Sequence, residues 1–195
     1  MIKEVVLATG NQGKAEEFSK LLKGVFEKMI SLIEFDNSPE VIEDGKTFRD
    51  NALKKAREIA NYTGKLTLAD DSGLEVEALD GRPGVCSARF SGENATDRSN
   101  IEKLLAELGD ASNRKARFVC VLALVNPEGE EIVVEGFCEG EILNEPRGEH
   151  GFGYDPVFYL PDRDKTMAEV DPEIKNRISH RANALNKLKL LLAQK

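Results

Sequence analysis

Residues 2–14, which read IKEVVLATGNQGK, change from a strand pattern to a helix pattern within a few positions. Ile2 to Ala8 is a short apolar run rich in β-branched residues, which is typical of a buried strand. Thr9 to Gly13 interrupt this run, and a helical pattern follows whose apolar face consists of Phe18, Leu21, Leu22 and Val25. A strand, a loop and a helix in this order form the basic unit of α/β proteins.

The rest of the chain continues this alternation. Further strands are predicted at residues 30–33 and 66–69, and helices at residues 47–62, 97–108 and from 179 onward. Residues 117–125 and 131–138 flank a turn signal at 126–129 and predict an antiparallel hairpin. We therefore expect residues 1–195 to form one α/β domain with a mixed sheet.

Smaller signals place the ends of these elements. Asp97 is expected to cap the third helix, and Gly64 and Gly109 are expected to end the second and third helices. The segment from Asp70 to Gly73 predicts a turn directly after a buried strand. Loops are predicted at residues 36–45, 80–94 and 148–156 because these stretches are polar or rich in glycine and proline.

The composition is that of a globular protein. The 195 residues are 41% hydrophobic and 32% charged, and the net charge is −8, which argues against a general DNA- or RNA-binding surface. The three cysteines show no CxxC spacing, which disfavours disulfides and a zinc site and favours a reducing cytosol. The apolar run at the N-terminus is too short for a signal peptide or a membrane span, so we expect a cytoplasmic protein.

The first candidate site is Thr9-Gly10-Asn11-Gln12-Gly13-Lys14, at the predicted junction of strand, loop and helix. The free N–H groups of a helix start bind anions, and glycines let the backbone approach phosphate oxygens closely. A lysine in the first helical turn opposes the helix dipole, and a bound polyphosphate would reverse that effect. The loop matches neither GxxxxGK[ST] nor GxGxxG, and a plain turn with a solvated lysine is an equal alternative for this pattern alone.

The second candidate site is the pair Asp70-Asp71, at the predicted end of a buried strand. Ligands of α/β sheets bind beyond the carboxyl ends of the strands. Two adjacent carboxylates repel each other in a confined site, and Mg²⁺, which binds carboxylates together with substrate phosphates, would offset this repulsion. A third acid could come from Glu43 or Asp44. Taken alone, the pair is more often part of an ordinary turn.

Two later segments carry candidates for recognition of a base. In Gly151-Phe152-Gly153-Tyr154-Asp155-Pro156, Phe152 could stack on a base and Asp155 could accept a hydrogen bond from a base N–H. Lys175, His180 and Arg181 lie near a predicted helix start, and the last two could donate to a purine carbonyl. Lys55 is a further candidate cation. The ordinary alternatives are an aromatic plug, a helix cap and solvated cations.

Together, and in this order, these segments resemble a known family. The motifs are Thr9-Gly10-Asn11-x-x-Lys14, Ala69-Asp70-Asp71-Ser72-Gly73-Leu74, Pro83-Gly84-Val85-x-Ser87-Ala88-Arg89-Phe90, Gly151-Phe152-Gly153-Tyr154-Asp155-Pro156 and Ser179-His180-Arg181. Over essentially its whole length the sequence resembles the inosine/xanthosine triphosphate pyrophosphatases, also called the Ham1-like family. The resemblance implies a long mixed central sheet flanked by helices, two lobes with the active site in a central cleft, and a homodimer.

The resemblance also implies a reaction and a set of site residues. The reaction is Mg²⁺-dependent hydrolysis of the purine nucleotides ITP, dITP and XTP to the monophosphate and pyrophosphate, which would cleanse the nucleotide pool. Asp71 is expected to be the general base and to hold Mg²⁺ together with Glu43, although the neighbours Asp70 and Asp44 keep the choice of ligands open. The residues expected to bind substrate are Thr9, Gly10, Asn11, Gln12, Gly13, Lys14, Lys55, Ser72, Phe152, Gly153, Tyr154, Asp155, Lys175, His180 and Arg181.

Alternatives to this function differ in substrate or in chemistry. A Maf-like pyrophosphatase would act on modified pyrimidine or standard nucleotides, but Ser179-His180-Arg181 favours a purine. A sensor would bind ITP-like ligands without cleavage, but it has little need of two adjacent carboxylates.

Groups that pair with a 6-oxo purine would reject ATP, yet guanine shares the 6-oxo group, so the rejection of GTP needs a separate cause.

Overall fold

The structure is a computed structural model, and it describes residues 2–10, 12–35 and 37–194. Its strands are β1 (Ile2–Leu7), β2 (Phe26–Ser31), β3 (Thr67–Val76), β4 (Lys115–Val125), β5 (Glu131–Ile142), β6 (Phe158–Leu160) and β7 (Lys165–Thr166). Its α-helices are α1 (Gln12–Leu21), α2 (Phe48–Thr63), α3 (Asp97–Leu108), α4 (Pro172–Ile178) and α5 (His180–Ala193). The described residues therefore confirm the predicted alternation of strands and helices.

The strands form one mixed sheet in the order β2-β1-β3-β4-β5-β6-β7. Strand β1 is parallel to β2, with Val6 opposite Ile30, and parallel to β3, with Val6 opposite Thr67. Strand β6 is antiparallel to β5 and to β7. The mixed sheet flanked by helices is the fold class that the sequence predicts.

The chain divides into two compact units, each with its own apolar core. The first unit contains the described residues up to Asp71, Cys120–Gly136 and the chain from Arg181 onward. The second unit contains Ser72–Val119 and Phe137–His180. Fully buried core residues of the first unit include Val5, Leu22, Leu122 and Ala184, and those of the second include Leu74, Leu104, Val157 and Phe158. Strands β3, β4 and β5 contribute residues to both units.

The two ends and the buried face of helix α2 follow from its local sequence. The Thr47 hydroxyl accepts a hydrogen bond from the backbone N–H of Asp50 at 3.1 Å, which satisfies a donor at the helix start. Gly64 ends the helix in the left-handed region with φ 63, where a glycine has no Cβ to clash. The predicted apolar stripe is confirmed, since its members are all buried: Phe48, Ala52, Ala56, Ile59 and Ala60.

The predicted turn from Asp70 to Gly73 is wrong. Strand β3 continues through this segment to Val76. Strand β3 lies between β1 and β4 in the sheet, and its pairing with β1 includes Thr67 and Leu68, just before this segment. Membership in a buried central strand therefore outweighs the local turn preference of Asp, Ser and Gly. The two carboxylates consequently lie within a central strand rather than after its end.

Two other elements have boundaries that differ from the prediction. The cap of α3 is Thr96 rather than Asp97, because Thr96 and Ser99 exchange side-chain to backbone hydrogen bonds. Strand β2 covers Phe26–Ser31 rather than residues 30–33, since its register with β1 ends at the pair Leu7 and Ser31. Ile33 is accordingly 86% exposed.

The C-terminal helical region contains a helix that the sequence analysis did not predict. Helix α4 covers Pro172–Ile178, with Asp171 as its N-cap and Ser179 as its C-cap. Ser179 therefore lies between two helices with an extended backbone, and α5 begins at His180. The inward positions predicted for α5 are confirmed at Ala182, Leu185 and Leu188, which are almost fully buried.

Candidate active site

In the first unit, Asp70 is held by a lysine from the start of α1. Oδ2 of Asp70 lies 2.7 Å from Nζ of Lys14, and the side chain of Asp70 is only 1% exposed. Burial is the largest single effect and opposes ionisation of Asp70, but the combined positive charges around it, that of Lys14 foremost, outweigh burial and lower the pKa to about 2. Lys55 and Arg181 act in the same direction. Asp70 is therefore an ionised carboxylate that forms a structural ion pair with Lys14.

The neighbouring carboxylate, Asp71, has a different environment. Burial raises its pKa to about 6, and the negative charge of Glu43 adds to this rise. A hydrogen bond from Nδ2 of Asn51 to Oδ2 of Asp71, 2.9 Å long, acts in the opposite direction. Of the two adjacent aspartates, Asp70 thus has a pKa below the ordinary aspartate value, and Asp71 has a pKa above it. Such a difference lets one carboxylate stay ionised while the other can accept a proton.

Glu43 forms an ion pair with Lys55, which lies on α2. Burial opposes the charge of Lys55, but Asp70 and Glu43 outweigh it and raise the pKa of this lysine. Asp44 points elsewhere: it pairs with Lys54 at 2.7 Å, and its side chain is 67% exposed. Of the two acids proposed as a third carboxylate, Glu43 is therefore the one whose charge acts on Asp71.

The phosphate-binding candidates at the end of β1 are only partly described. Thr9, Gly13 and Lys14 are half-buried, and Gly10 is exposed with open space around its Cα. Asn11 lies outside the described residues, as does the side chain of Gln12.

Arg181 is buried instead of solvated. Its Nη1 lies 3.0 Å from Oε2 of Glu17 on α1, and the two side chains are 5% and 8% exposed. The start of α5 is thereby joined to the helix that carries Lys14. Because a buried charge needs a partner, we expect loss of either member of this pair to destabilise the first unit.

In the second unit, the loop at residues 148–156 is organised around the Asp155 carboxylate. Oδ2 of Asp155 accepts a hydrogen bond from the backbone N–H of Phe152 at 3.0 Å and one from Nζ of Lys175 at 2.5 Å. The ammonium of Lys175 also lies 4.9 Å from the centre of the Phe152 ring. Phe152, Asp155 and Lys175 thus form one cluster, as the prediction of a shared role requires.

Two further contacts anchor this loop. The Tyr154 hydroxyl donates to the carbonyl of Ser87 at 2.8 Å, and burial raises the pKa of Tyr154 well above its usual range. The carboxylate of Asp97 accepts a hydrogen bond from the backbone N–H of Gly153 at 2.7 Å. Tyr154, which was predicted to contact substrate, is itself buried, so its side chain holds the loop in place.

His180 and Ser72 complete the predicted set. The His180 ring stacks on Phe118 with centroids 4.8 Å apart and an interplanar angle of 17°. His180 is almost fully buried, so it is not the solvated residue of the ordinary alternative. Ser72 is half-buried in β3, directly after Asp71.

Sequence reasoning missed four side chains that hold these residues: Asn51, Glu17, Asp97 and Phe118. Asn51 carried a usable signal, because it is a polar residue inside the apolar stripe of α2 and lies one helical turn before Lys55. The other three depend on contacts across long sequence separations, which local patterns do not reveal.

The described residues contain no group of three or more His, Cys, Asp or Glu side chains placed to hold a metal ion. A site with two protein carboxylates remains compatible with Mg²⁺, which commonly completes its coordination with substrate phosphates and water. In the described part of the chain, no helix is both long and apolar enough to cross a membrane.

Several known proteins are similar to this chain in sequence and in fold. The model of the Ham1 family matches residues 5–191. A dITP/XTP pyrophosphatase of Bacillus subtilis is 50% identical over 194 residues, 98% of each chain, and one of Desulfotalea psychrophila is 53% identical over 97% of this chain and 85% of the relative. The structure of the Staphylococcus aureus Ham1 protein, 46% identical, superimposes with a TM-score of 0.90 over 98% of this chain and 99% of that one. A HAM1 protein from Coxiella burnetii, also 46% identical, covers all of both chains with a TM-score of 0.92. On these grounds the chain belongs to the Ham1 family.

Proposed function

We propose that this protein hydrolyses the purine nucleoside triphosphates ITP, dITP and XTP to the monophosphate and pyrophosphate, and so cleanses the nucleotide pool. The observation that carries the proposal is the pair Asp70 and Asp71, two adjacent carboxylates of one strand with different partners. The relatives named dITP/XTP pyrophosphatase, about half identical over nearly the whole chain, support the same substrate class.

Asp71 is the general base of the proposed reaction. It accepts a proton from water as the water oxygen forms a bond to the α-phosphorus. The bond between the α-phosphorus and the oxygen bridging to the β-phosphorus breaks, and pyrophosphate leaves with that oxygen. In the metal-free protein this carboxylate, with its pKa raised to about 6, is a stronger proton acceptor than an ordinary aspartate and is still ionised at neutral pH. A cation bound beside it would lower that pKa.

Asp71 and Glu43 are the residues that would hold Mg²⁺. The donor set fits this ion, because both are carboxylates and the charge of Glu43 disfavours ionisation of Asp71. A divalent cation would relieve that repulsion. When bound with substrate, Mg²⁺ supplies neutralisation of phosphate charge and orientation of the reacting groups.

The cations of the first unit are assigned to the phosphates. Lys14 at the start of α1 and Lys55 on α2 would offset the charge that develops on the leaving pyrophosphate. Their ion pairs with Asp70 and Glu43 keep both ammonium groups in place before substrate binds. The backbone of residues 9–13 would contribute N–H donors, and Ser72 would contact the substrate next to the base.

The residues of the second unit are assigned to the base and sugar. Phe152 would stack on the purine, and the donors Lys175, His180 and Arg181 would read its polar edge. Such donors pair with a 6-oxo group, whereas the 6-amino group of ATP would meet them donor to donor. The Asp155 carboxylate holds Lys175 and the loop, which supports a positioning role beside any contact with the base.

We also propose a single two-lobed domain over residues 1–195, since β3, β4 and β5 belong to both compact units. We further propose a homodimer, which sedimentation equilibrium would test, and a cytoplasmic location.

The deciding experiment measures pyrophosphate release from ITP, XTP, GTP and ATP, with Mg²⁺ and with EDTA. We expect Mg²⁺-dependent release from ITP and XTP and little from ATP or GTP. Comparable release from ATP would preserve the phosphate chemistry and refute the proposed base recognition. Binding of ITP without any release would refute the enzyme and favour a sensor.

A further inference from the structure

Asn51 is a buried amide inside the apolar stripe of α2, and it does not belong to the site residues assigned above. It is 1% exposed, although its neighbours on the buried face are apolar. A buried amide is costly unless its donor and acceptor groups are both used. Asn51 uses them on two different segments of the chain.

The amide of Asn51 bridges Asp71 and the segment that carries Glu43. Its Nδ2 donates to Oδ2 of Asp71 at 2.9 Å, and its Oδ1 accepts from the backbone N–H of Gly45 at 2.7 Å. A carboxylate accepts and an N–H donates, so only this orientation of the amide satisfies both partners. Glu43 is two residues from Gly45.

Gly45 fits closely against this amide. A Cβ atom at Gly45 would lie 2.6 Å from Oδ1 of Asn51 and 2.8 Å from Cβ of Asp50. A glycine is therefore needed for a close approach of the backbone. One turn further along α2, Lys55 pairs with Glu43, so positions i and i+4 of the helix hold the same segment at two points.

We propose that Asn51 is a positioning residue that keeps Glu43 and Asp71 in the mutual arrangement needed to hold a divalent cation. This inference rests on the proposed function of those two carboxylates. Asn51 acts through both of them, since it fixes the rotation of the Asp71 carboxylate and the position of the Gly45 backbone. Supporting residues of this kind commonly change metal affinity or activity about 10- to 100-fold when they are replaced.

The test uses three variants of the full-length protein. Asn51→Ala removes both hydrogen bonds. Asn51→Asp keeps an acceptor for Gly45 but removes the donor to Asp71 and adds a negative charge beside it. Gly45→Ala leaves Asn51 in place and displaces the segment through the clash with Oδ1.

Two readouts separate positioning from a general loss of stability. The first is the dissociation constant of Mn²⁺, used alone as a paramagnetic probe and measured by electron paramagnetic resonance. The second is the division of any kinetic effect with ITP between kcat and KM. We expect weaker Mn²⁺ binding and a kcat lowered by about 10- to 100-fold in all three variants, with KM changed much less.

Asn100→Ala is the matched control. Asn100 is also a buried asparagine in a helix, and it also bridges two backbone groups: it accepts from the N–H of Ser91 at 2.8 Å and donates to the carbonyl of Ala88 at 3.2 Å. It has no contact with the carboxylates assigned to the metal. We expect this variant to lower the melting temperature as Asn51→Ala does while retaining Mn²⁺ affinity and kcat.

The inference would be overturned if Asn51→Ala and Asn51→Asp had the same Mn²⁺ affinity and the same kcat as the control. If the Asn51 variants do not fold, Gly45→Ala decides by the same criteria. Failure of the unmodified protein to bind Mn²⁺ would overturn the inference as well. If it binds Mn²⁺ but cleaves no nucleotide, the proposed function fails, and the comparison of Mn²⁺ affinities still tests Asn51.

Discussion

Asp70 and Asp71 are identical in chemistry and adjacent in sequence, yet they differ in their charged and hydrogen-bonded surroundings. Successive side chains of a strand point to opposite faces of the sheet, so the two carboxylates meet different partners. Lys14 lies 2.7 Å from Asp70, whereas the amide of Asn51 donates to Asp71. The difference therefore follows from the continuation of β3 through both residues.

Replacing each aspartate separately tests this division. Asp71→Asn removes the proposed base, and we expect kcat for ITP to fall by about 10²- to 10⁴-fold. Asp70→Asn retains the base but leaves Lys14 without its carboxylate, so we expect a lower melting temperature and a smaller loss of kcat. Pyrophosphate release and thermal unfolding of both variants are the measurements. Full activity of Asp71→Asn together with an inactive Asp70→Asn would reverse the assignment.

The ion pair of Asp70 also predicts how stability depends on pH in the metal-free protein. Its folded pKa is about 2, below the ordinary value of 3.8, so folding favours its ionised form. This contribution, about 2 kcal/mol, is present above the unfolded pKa and is lost as the pH falls through the folded pKa. The urea midpoint of the unmodified protein should therefore approach that of Asp70→Asn below about pH 4 in EDTA. An equal difference at every pH would contradict the prediction.

At the scale of elements, the loop at residues 148–156 depends on close packing around one carboxylate. Gly151 has φ 83, and a Cβ atom there would lie 2.1 Å from Oδ2 of Asp155. That oxygen accepts from both Lys175 and the backbone of Phe152. The glycine is thus required for its backbone angle and also for the position of the carboxylate.

Gly151→Ala should displace Asp155 and with it Lys175 and Phe152. We expect a lower kcat/KM for ITP, mainly through a higher KM, because groups that hold the base are disturbed. Gly129→Ala controls for backbone strain, since Gly129 has φ 92 in the loop between β4 and β5 and open space around it. The control should lose stability through the same strain while its KM stays that of the unmodified protein. Equal KM values in the two variants would show that the clash with Asp155 is unimportant.

At the scale of the whole molecule, the three cysteines lie in different places and differ in burial. Cys86 is exposed, Cys120 lies in the core of the first unit and Cys138 in the core of the second. Burial raises the pKa of Cys138 to about 11 and raises that of Cys120 further. The reactive thiolate of either residue is therefore scarce as well as inaccessible in the folded state.

A thiol titration with Ellman's reagent checks this arrangement. We expect one thiol, that of Cys86, to react rapidly in the folded protein, and the remaining two of the three to react only after denaturation in urea. Cys86→Ser should abolish the rapid phase and leave the slow one. A rapid reaction of more than one thiol in the native protein would mean that one of the two cores opens readily.

The sequence by itself determined most of the elements and indicated candidate residues for the chemistry. Apolar periodicity predicted α2, α3 and α5, and glycines placed the ends of α2 and α3, because these signals are local. The order of the motifs indicated the family that the comparisons confirm. The roles assigned to individual site residues stay predictions, to be tested by the variants described.

Tertiary structure alone decided the course of β3, the partners of the two aspartates and the burial of His180 and Arg181. Turn-forming residues became part of a central strand because β3, which lies between β1 and β4, is largely buried along its whole length. Glu17 is 164 positions from Arg181, and Tyr154 is 67 from Ser87. Contacts over such separations depend on how the sheet brings distant segments together, and no local pattern encodes them. The electrostatic difference between Asp70 and Asp71 arises from contacts of this kind, and it exists only in the folded protein.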